Sequence, residues 1–399
     1  MSLNDLYSPK QQEVLRFALN NDFFMLINHG AKRSGKTVLD NDLFLNELIR
    51  TREIADKYRI TKPQYILAGS DQGAVQRNVL NELENKYGLS FQFDKYNRFV
   101  LFGVQVCCFG HSKINDLNRI RGMTSYGAYI NEATMANREV FNEISKRCSG
   151  TGARILMDTN PDCPSHWLKK DYIDKADGKS IAQFQWKLTD NTFVDERYIE
   201  NTKATTPTGM FYDRDINGAW VAAAGIVYPD FERNVHYIRA DQVPPIVRHW
   251  AGKDFGWEHP GALCLLGEGM DGNIYLLRGW KKKHRPIEKW IEIGLGLTSQ
   301  FGDINFYCDS ARPDLIYDMQ VAGLRAINAR KDVVAGIAAV ATLFKTRRLF
   351  VVEKDVEGFD EEIDTYAWDE GKEQPVKEND DIMDAMRYGI YSDQMYGER

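Results

Sequence analysis

The feature that most constrains the fold is a glycine-rich segment, NHGAKRSGKTVLD, at positions 28–40. It contains Gly30-x-x-x-x-Gly35-Lys36-Thr37, the full P-loop pattern, with a buried strand predicted before it and a helix after it. The glycines let the backbone curl so that successive N–H groups face phosphate oxygens, and the helix start adds the positive end of its dipole. The segment therefore predicts an α/β domain that binds a nucleotide.

Several side chains in and near this loop have predictable roles. Lys36 is expected to neutralise the β- and γ-phosphates of ATP, and the hydroxyl of Thr37 is expected to reach Mg²⁺. The other loop residues that we predict to contact the nucleotide are Gly30, Lys32, Ser34 and Gly35. Upstream, in SPKQQEVL, Gln11 or Gln12 either reads the adenine edge or is an ordinary solvated helix glutamine.

Hydrolysis also requires a carboxylate at the end of a neighbouring strand. The stretch YGAYINEA supplies Asn131 and Glu132, where the usual pair is Asp-Glu. Glu132 is the predicted catalytic base, although a surface glutamate that caps the next helix has the same pattern. Asn131 is predicted to accept a bond from metal-bound water, but it brings no charge.

Two further segments are expected to face the γ-phosphate. NRIRGMT offers Arg119 or Arg121, and we favour Arg121 as the cation that stabilises the transferring phosphate; a salt-bridged loop arginine is the alternative. MDTNP follows the next predicted strand and brings Thr159 and Asn160 beside the nucleotide, where a γ-phosphate sensor would lie.

The C-terminal part contains aspartates that indicate a second chemistry. Asp254 lies on a strand, Asp309 ends an apolar strand, and Asp381 and Asp384 are three apart on one helix face. Carboxylates that converge repel each other unless cations lie between them, and two Mg²⁺ or Mn²⁺ ions about 4 Å apart would activate water for phosphodiester cleavage. Each aspartate taken alone is also compatible with a helix cap or a solvated strand end.

The length of 399 residues favours two domains. Apolar runs alternate with helical stretches in the first two-thirds, which predicts a P-loop ATPase domain over 1–188 and a connecting subdomain over 189–245. Over 246–399, three antiparallel strands precede alternating helices and strands, which is the order of an RNase H-like domain. The predicted fold class is therefore α/β, with a RecA/helicase-like ATPase domain followed by an RNase H-like nuclease domain.

Composition adds little about ligands. The net charge is −6, which does not indicate nucleic-acid binding, yet the cluster RGWKKKHRP either follows a DNA backbone or is a solvated loop. No apolar stretch reaches membrane-spanning length and the N-terminus lacks a signal peptide, so we expect no membrane association.

Taken together, these motifs resemble the large terminase subunit of tailed double-stranded DNA bacteriophages. The resemblance rests on the order and spacing of GAKRSGKT, RIRGMTSYGAYINEA, DTNPDCPSHWLKK, KDFGW, CDSARPDLI and DAMRY. It implies Lys36 and Thr37 at the nucleotide, Glu132 as the hydrolytic base, an arginine of RIRG as finger and Thr159-Asn160 as the coupling motif. It also implies metal carboxylates at Asp254, Asp309 and Asp384. Two positions depart from the family: Asn131, and Asp381 where relatives often carry histidine.

The resemblance further implies an ATP-driven motor that moves double-stranded DNA into a procapsid and cuts the concatemer. The implied partners are double-stranded DNA, the portal protein, the small terminase subunit and further copies in a ring, with a monomer possible in solution. The implied location is the cytoplasm of the infected bacterium, transiently at the portal. Two alternatives stay open: a helicase-like translocase whose C-terminal domain binds DNA without cutting it, and a nucleotide-gated assembly protein.

Overall fold

The computed structural model describes residues 3–369 and 372–397, over which the chain divides into two compact units. The N-terminal unit consists of the residues up to Glu200 together with Tyr212–Val221. The C-terminal unit consists of Asn201–Phe211 together with the residues from Ala222 onward. The segment 189–245, predicted as one connecting subdomain between domains 1–188 and 246–399, is therefore shared between the two units.

The N-terminal unit is built on a seven-stranded sheet within the described residues, with strand order β3-β4-β2-β5-β6-β1-β7. Its helices and strands are α1 (Leu3–Leu6), α2 (Pro9–Asn20), β1 (Met25–Gly30), α3 (Lys36–Lys57), β2 (Gln64–Gly69), α4 (Gln72–Val75), α5 (Asn81–Tyr87), β3 (Arg98–Leu101), β4 (Val104–Gly110), α6 (Leu117–Ile120), β5 (Gly127–Ile130), α7 (Arg138–Arg147), β6 (Arg154–Thr159) and β7 (Ile181–Trp186). Short 3₁₀ and π turns lie at Gln76–Leu80, Ile114–Asp116, Ala133–Met135, Lys169–Ile173 and Leu188–Asp190. Helices α8 (Glu196–Thr205) and α9 (Met210–Asp215) each contain a point at which the chain passes between units.

The pairing in this sheet explains why its strands are so apolar. Neighbouring strands are parallel except β3 and β4, which form an antiparallel hairpin with Gly103 in its turn. A parallel sheet is covered on both faces, and two separate apolar clusters pack here. All six residues of β1 are buried. The carboxyl ends of β1, β5 and β6 therefore meet at one edge of a rigid sheet, directly before the P-loop.

A buried histidine precedes the P-loop on β1. The indole N–H of Trp220 donates to Nδ1 of His29 at 3.1 Å, and since indole cannot accept, Nε2 must carry the proton that it donates to Gln183 at 2.7 Å. Burial lowers the pKa of His29 from its ordinary 6.5 to about 4. The neutral ring is therefore part of the folded state at neutral pH.

This histidine predicts a pH dependence of stability. Below pH 6.5 the unfolded chain protonates His29 while the folded chain resists until about pH 4, so stability falls across this window as pH falls. We expect His29 to contribute up to about 3 kcal/mol to that loss. Urea unfolding at several pH values should show that the unfolding free energy of His29→Gln falls less steeply with falling pH than that of wild type. His259→Asn, at an exposed position, is the control and should follow wild type; identical pH profiles for His29→Gln and wild type would contradict the prediction.

The C-terminal unit also contains a seven-stranded sheet within the described residues, in the order β13-β12-β9-β10-β11-β14-β8. Strands β9, β10 and β11 pair antiparallel, as predicted, and the outer pairs are parallel. A 3₁₀ turn lies at Ala240–Gln242. The helices and strands are α10 (Arg233–His236), β8 (Tyr237–Ile238), β9 (Ile246–Asp254), β10 (Gly261–Gly269), β11 (Ile274–Lys282), α11 (Ile287–Phe301), β12 (Asn305–Cys308), α12 (Pro313–Val321), β13 (Arg325–Asn328), α13 (Val333–Lys345), β14 (Leu349–Val352), α14 (Phe359–Ile363) and α15 (Asp381–Tyr396).

Helix α15 lies against the middle of this sheet, and glycine makes the contact possible. A Cβ atom on Gly252 in β9 would lie 1.9 Å from the carbonyl oxygen of Ala385, and one on Gly389 would lie 3.2 Å from the backbone nitrogen of Gly252. The helix and strand therefore touch backbone to backbone. This contact holds the first turn of α15 beside the end of β9.

Substitution at this contact should move the helix. For Gly252→Ala we expect a loss of roughly 3 kcal/mol or more in the unfolding free energy of the C-terminal unit, because the added methyl collides with main-chain atoms that cannot rotate away. Gly296→Ala in α11 is the matched control, since nothing lies within 4 Å of its Cβ position and alanine is the better helix former. Calorimetry should therefore show a lower melting temperature for the first variant and an equal or higher one for the second. Equal melting for the two variants would contradict the backbone contact.

None of the helices in the described part of the chain has the length and apolar character that a membrane crossing requires.

Candidate nucleotide site and candidate metal site

The P-loop connects β1 to α3 at the carboxyl edge of the N-terminal sheet. Gly30 ends β1 with a φ of +146°, and a Cβ atom there would lie 2.1 Å from the carbonyl oxygen of Trp186 in β7. Only glycine allows β7 to lie this close to the loop. Lys36 is the first residue of α3, so the backbone N–H groups of the helix start face the loop interior.

A cavity of about 640 Å³ opens above the loop. The predicted nucleotide residues that line it are Lys32, Ser34, Gly35, Lys36, Thr37, Asn131, Glu132, Thr159 and Asn160. The loop and the ends of β5 and β6 thus face one space, as the sequence predicts. Gly30 and Gln11 are not among the described residues that line it.

Lys36 provides a buried positive charge at the base of this cavity. Its ammonium group donates to the carbonyl oxygen of Ala31 at 2.9 Å and to Oδ1 of Asn160 at 2.8 Å, and only 5% of the residue is exposed. Burial lowers the pKa of Lys36 to about 8, and the nearby carboxylates, Asp158 foremost, oppose this. An anionic phosphate beside the ammonium would raise this pKa and stabilise the charged form.

Glu132 lies half-buried where β5 ends. Its backbone has a φ of +58°, which is uncommon for a residue other than glycine, and its N–H donates to Oδ1 of Asp158 at 2.9 Å. Burial, and next the charge of Asp158, raise the pKa of Glu132, while Lys36 and Arg77 oppose the rise. A carboxylate with a raised pKa is a better proton acceptor than an ordinary one.

The end of β6 is bonded to the turn that follows Glu132. The hydroxyl groups of Thr134 and Thr159 are 2.6 Å apart, and the N–H of Thr134 donates to Oγ1 of Thr159 at 2.9 Å. Asn160 in turn holds the ammonium of Lys36. The predicted sensor residues therefore connect the P-loop lysine to the segment that carries the predicted base.

Gln11 contacts the loop from outside. Its Oε1 accepts from the N–H of Ser8 at 2.9 Å, which caps α2, and its Nε2 donates to the carbonyl oxygen of Gly35 at 2.9 Å. Both ends of the amide are thus used to fix α2 to the P-loop. An adenine contact by Gln11 stays a prediction.

The structure brings other arginines to the cavity than the one we favoured. Arg121 is exposed after α6 and lines a separate depression with Glu139 and Glu143, whereas Arg77 and the P-loop residue Arg33 line the nucleotide cavity. The role of Arg121 as a finger stays a prediction. Arg77 lies in a π turn of the helical segment after β2, and no sequence motif distinguishes it from a surface arginine.

In the C-terminal unit, the predicted metal residues come from three elements. Asp254 ends β9, and Asp309 follows β12, whose Cys308 pairs with Lys253 of β9 in parallel register. The N–H of Asp309 donates to the carbonyl oxygen of Lys253 at 2.9 Å, which holds the two strand ends together. Asp381 and Asp384, in the first turn of α15, complete the set.

These four carboxylates influence one another. Burial raises the pKa of Asp254 well above its ordinary range, and the charges of Asp384, Asp309 and Asp381 raise it further. Among the described residues, however, the ligand atoms of no three of them lie within 4.8 Å of one another. The four aspartates therefore lie at one end of the sheet, but no three of their carboxylate oxygens are close enough together to bind one ion.

Protein cations form ion pairs with three of these aspartates. Ammonium groups pair Lys331 with Asp309, Lys377 with Asp384 at 3.1 Å, and Lys281 with Asp381 at 3.1 Å, and Arg387 also binds Asp384 at 2.7 Å. Burial alone would raise the pKa of Asp384, but Arg387 and Lys377 outweigh it and hold this pKa below its ordinary value. The carboxylate of Asp254 has neither a hydrogen bond nor an ion pair within 3–369 and 372–397.

Two buried charges in this region were missed from the sequence. Lys253 is fully buried beside Asp254, and burial lowers its pKa to about 8. Glu362 accepts from the N–H groups of Ile382 and Met383 at 2.8 and 3.0 Å and so caps α15, and burial raises its pKa to about 7. The cap fixes the helix start that carries the two aspartates. Lys253 stands in the quoted motif KDFGW, but nothing in the sequence shows that it is buried, and Glu362 lies outside every motif.

Comparison with known proteins gives one family match and curated relatives for part of the chain. Residues 27–235 match the family described as terminase large subunit, T4likevirus-type, N-terminal. The terminase large subunit of Escherichia phage T5 is 26% identical over 154 residues, which are 35% of this chain and 34% of that protein. The aligned part thus spans about a third of the length of this curated relative.

Solved structures resemble the chain over nearly its full length. The large terminase of a thermophilic bacteriophage superimposes with a TM-score of 0.80 at 24% identity, over 98% of this chain and 99% of that one. The same protein in complex with ATP-gamma-S gives a TM-score of 0.75 at 24% identity, over 97% and 98%. The predicted α/β fold class, with one sheet-based domain following another, is confirmed.

Proposed function

The chain belongs to the terminase large subunit family of the T4likevirus type, and from this premise we propose that it is the ATP-hydrolysing subunit of a DNA-packaging motor. The family resemblance predicted from the sequence motifs is confirmed. The proposed activity moves double-stranded DNA into a procapsid and cleaves concatemeric DNA by metal-dependent phosphodiester hydrolysis. The observation that carries the proposal is that one chain has both a P-loop cavity edged by Glu132 and a separate group of converging aspartates.

The proposed ATPase chemistry follows from the cavity. Backbone N–H groups of the loop and the ammonium of Lys36 bind the β- and γ-phosphates, and the hydroxyl of Thr37 and the strand-end polar groups hold Mg²⁺, which neutralises phosphate charge. Glu132 orients the attacking water and accepts its proton. Arg77 adds positive charge on the side of Glu132.

The proposed nuclease chemistry uses Asp254, Asp309 and Asp384, with Asp381 beside them. An all-oxygen set of carboxylates fits Mg²⁺ or Mn²⁺, and ions bound there would supply an activated water and steady the leaving oxygen. Asp254 forms no ion pair in the described residues, whereas Asp309 and Asp384 are paired with Lys331 and Lys377. Divalent ions held by these carboxylates would therefore compete with the two ammonium groups.

We also propose the setting in which this chemistry acts. The partners are double-stranded DNA, the portal protein, the small terminase subunit and further copies of the chain in a ring. The location is the cytoplasm of an infected bacterium, transiently at the procapsid portal. These proposals rest on membership of the family.

One observation favours a second candidate function, a DNA translocase that does not cleave. The lysine pairs at Asp309 and Asp384 would also suit a domain that never binds metal. The test is to incubate the full-length protein with supercoiled plasmid and Mg²⁺ or Mn²⁺, and to measure ATP hydrolysis in parallel. We expect both ATP turnover and nicked or linear plasmid. ATP turnover with a plasmid that stays supercoiled would support the translocase instead.

A further inference from the structure

The strand that should deliver a negative charge to the nucleotide site ends in an amide. Asn131 follows β5 at the position where the Asp-Glu pair is usual, and an amide carries no charge with which to attract Mg²⁺ or its bound water. An acidic group from another element must therefore replace it, or the site must bind the metal through Thr37 and the phosphates.

The neighbouring strand brings such a group to the same place. Strands β5 and β6 are parallel, with Ile130 opposite Met157, so the next residues, Asn131 and Asp158, lie side by side. Nδ2 of Asn131 is 2.9 and 3.1 Å from the two carboxylate oxygens of Asp158. Asp158 lines the nucleotide cavity together with Thr37.

The hydrogen bonds show that the two side chains act together. Oδ1 of Asn131 accepts from Nδ2 of Asn78 at 2.9 Å, and its amide donates to both carboxylate oxygens of Asp158. Asp158 also accepts from the N–H of Glu132 and the hydroxyl of Tyr129. Asp158 therefore differs from Asn131 in bringing a carboxylate, the ligand type that Mg²⁺ prefers, to the cavity, and Asn131 holds that carboxylate in place.

The charge of Asp158 also lacks a counter-ion. Only 1% of the residue is exposed, and within the described parts of the chain no lysine, arginine or histidine forms an ion pair with it. A buried carboxylate without a cation is costly. The charge of Asp158 bears on Lys36, but the ammonium of Lys36 is hydrogen-bonded to Ala31 and Asn160 instead.

Asp40 is the other buried carboxylate near the loop, and it does not suit the role. It lies on α3 with Oδ1 accepting from Nδ2 of Asn28 at 2.7 Å, and it is not among the described residues that line the cavity. Burial, and next the charge of Asp158, raise the pKa of Asp40 well above its ordinary range, so the charged form of Asp40 is disfavoured at this position.

We propose that Asp158, on β6, supplies the carboxylate of the ATPase magnesium site, and that Asn131 supports it as a hydrogen-bond donor. This rests on the proposed ATPase function. The negative charge that is usual at the end of β5 is thus carried by the neighbouring strand, β6. The same carboxylate accepts a hydrogen bond from the N–H of Glu132, which holds Glu132 in position.

The experiment measures nucleotide affinity rather than turnover. Full-length wild type, Asp158→Asn, Asn131→Asp/Asp158→Asn and Asp40→Asn are titrated with a fluorescent, slowly hydrolysed ATP analogue in Mg²⁺ and again in EDTA. We expect Mg²⁺ to tighten binding to wild type, and Asp158→Asn to lose about tenfold or more of that tightening while keeping its affinity in EDTA. The double variant exchanges acid and amide between adjacent positions and keeps the donors of Asn78 and Glu132 paired, so it should regain the Mg²⁺ effect. Asp40→Asn, a substitution outside the described lining of the cavity, should match wild type.

The outcomes separate this inference from the proposed function. Equal tightening by Mg²⁺ in wild type and Asp158→Asn overturns the inference and leaves the ATPase proposal intact. Failure of wild type to bind the analogue in either condition overturns the ATPase proposal and the inference with it. If Asp158→Asn does not fold, the double variant decides: Mg²⁺ tightening supports the exchange of charge between strands, and its absence in a folded double variant contradicts it.

Discussion

Lys36→Ala is expected to lower ATP hydrolysis by about a thousandfold or more, the scale on which a positioned cation acts in phosphoryl transfer. Lys36 is buried at the base of the cavity and is held there by Ala31 and Asn160. Removing it takes away the charge that faces the phosphates and one of the two cations that oppose the raised pKa of Glu132. Steady-state phosphate release measures the loss.

The same variant should leave metal-dependent plasmid cleavage within about twofold of wild type, because the aspartates belong to the other compact unit and fold on their own sheet. Lys57→Ala, an exposed lysine at the other end of α3, is the matched control and should keep both activities. Retention of ATP turnover by Lys36→Ala would show that the P-loop is not the hydrolytic site.

Asp254→Asn is expected to lower Mn²⁺-dependent plasmid cleavage by about a hundredfold or more, because an amide is a poor replacement for a charged metal ligand. Asp254 is the aspartate whose carboxylate has no ion pair or hydrogen bond in the described residues, and the charges of three other aspartates bear on it. Agarose-gel assays of nicked and linear products measure the rate. ATP turnover should remain.

A stability measurement distinguishes this loss from unfolding. Because burial and neighbouring carboxylates disfavour the charged form of Asp254, the neutral amide should leave the melting temperature of the C-terminal unit equal or higher. Asp241→Asn, at an exposed aspartate paired with Arg239, is the control and should cleave as wild type does. Undiminished cleavage by Asp254→Asn would remove the nuclease from the proposed function.

The parts of the molecule that local sequence determines were predictable. The P-loop requires glycine, lysine and threonine at fixed spacing, so its strand and helix could be located directly. Asp254 and Asp309 could be grouped because both end apolar strands, and parallel neighbours end at the same edge. Strand β7 was missed because it lies at the edge of its sheet, where the exposed Gln183 and Gln185 interrupt its apolar residues and no continuous apolar run marks it.

Side-chain contacts that depend on how distant segments pair in the fold were not predictable from the sequence. Asp158 stands in the quoted stretch MDTNP, but only the pairing of β5 with β6 shows that it adjoins Asn131. Lys331 and Lys377 lie outside every motif and reach the aspartates through the folded chain. Arg77 likewise reaches the nucleotide cavity from a segment without a signature.

The interlaced order of the two units has a practical consequence for taking the protein apart. The described chain passes from one unit to the other after Glu200, Phe211 and Val221. A single cut in the chain therefore cannot give two fragments that each contain one whole unit. A recombinant fragment that begins at residue 246 would discard edge strand β8 and the aromatic side chains of Tyr228 and Phe231 that pack on Phe344. Such a fragment should be poorly soluble, whereas one that begins at Ala222 would retain the whole sheet and is the better starting point for crystallising the aspartate-bearing half.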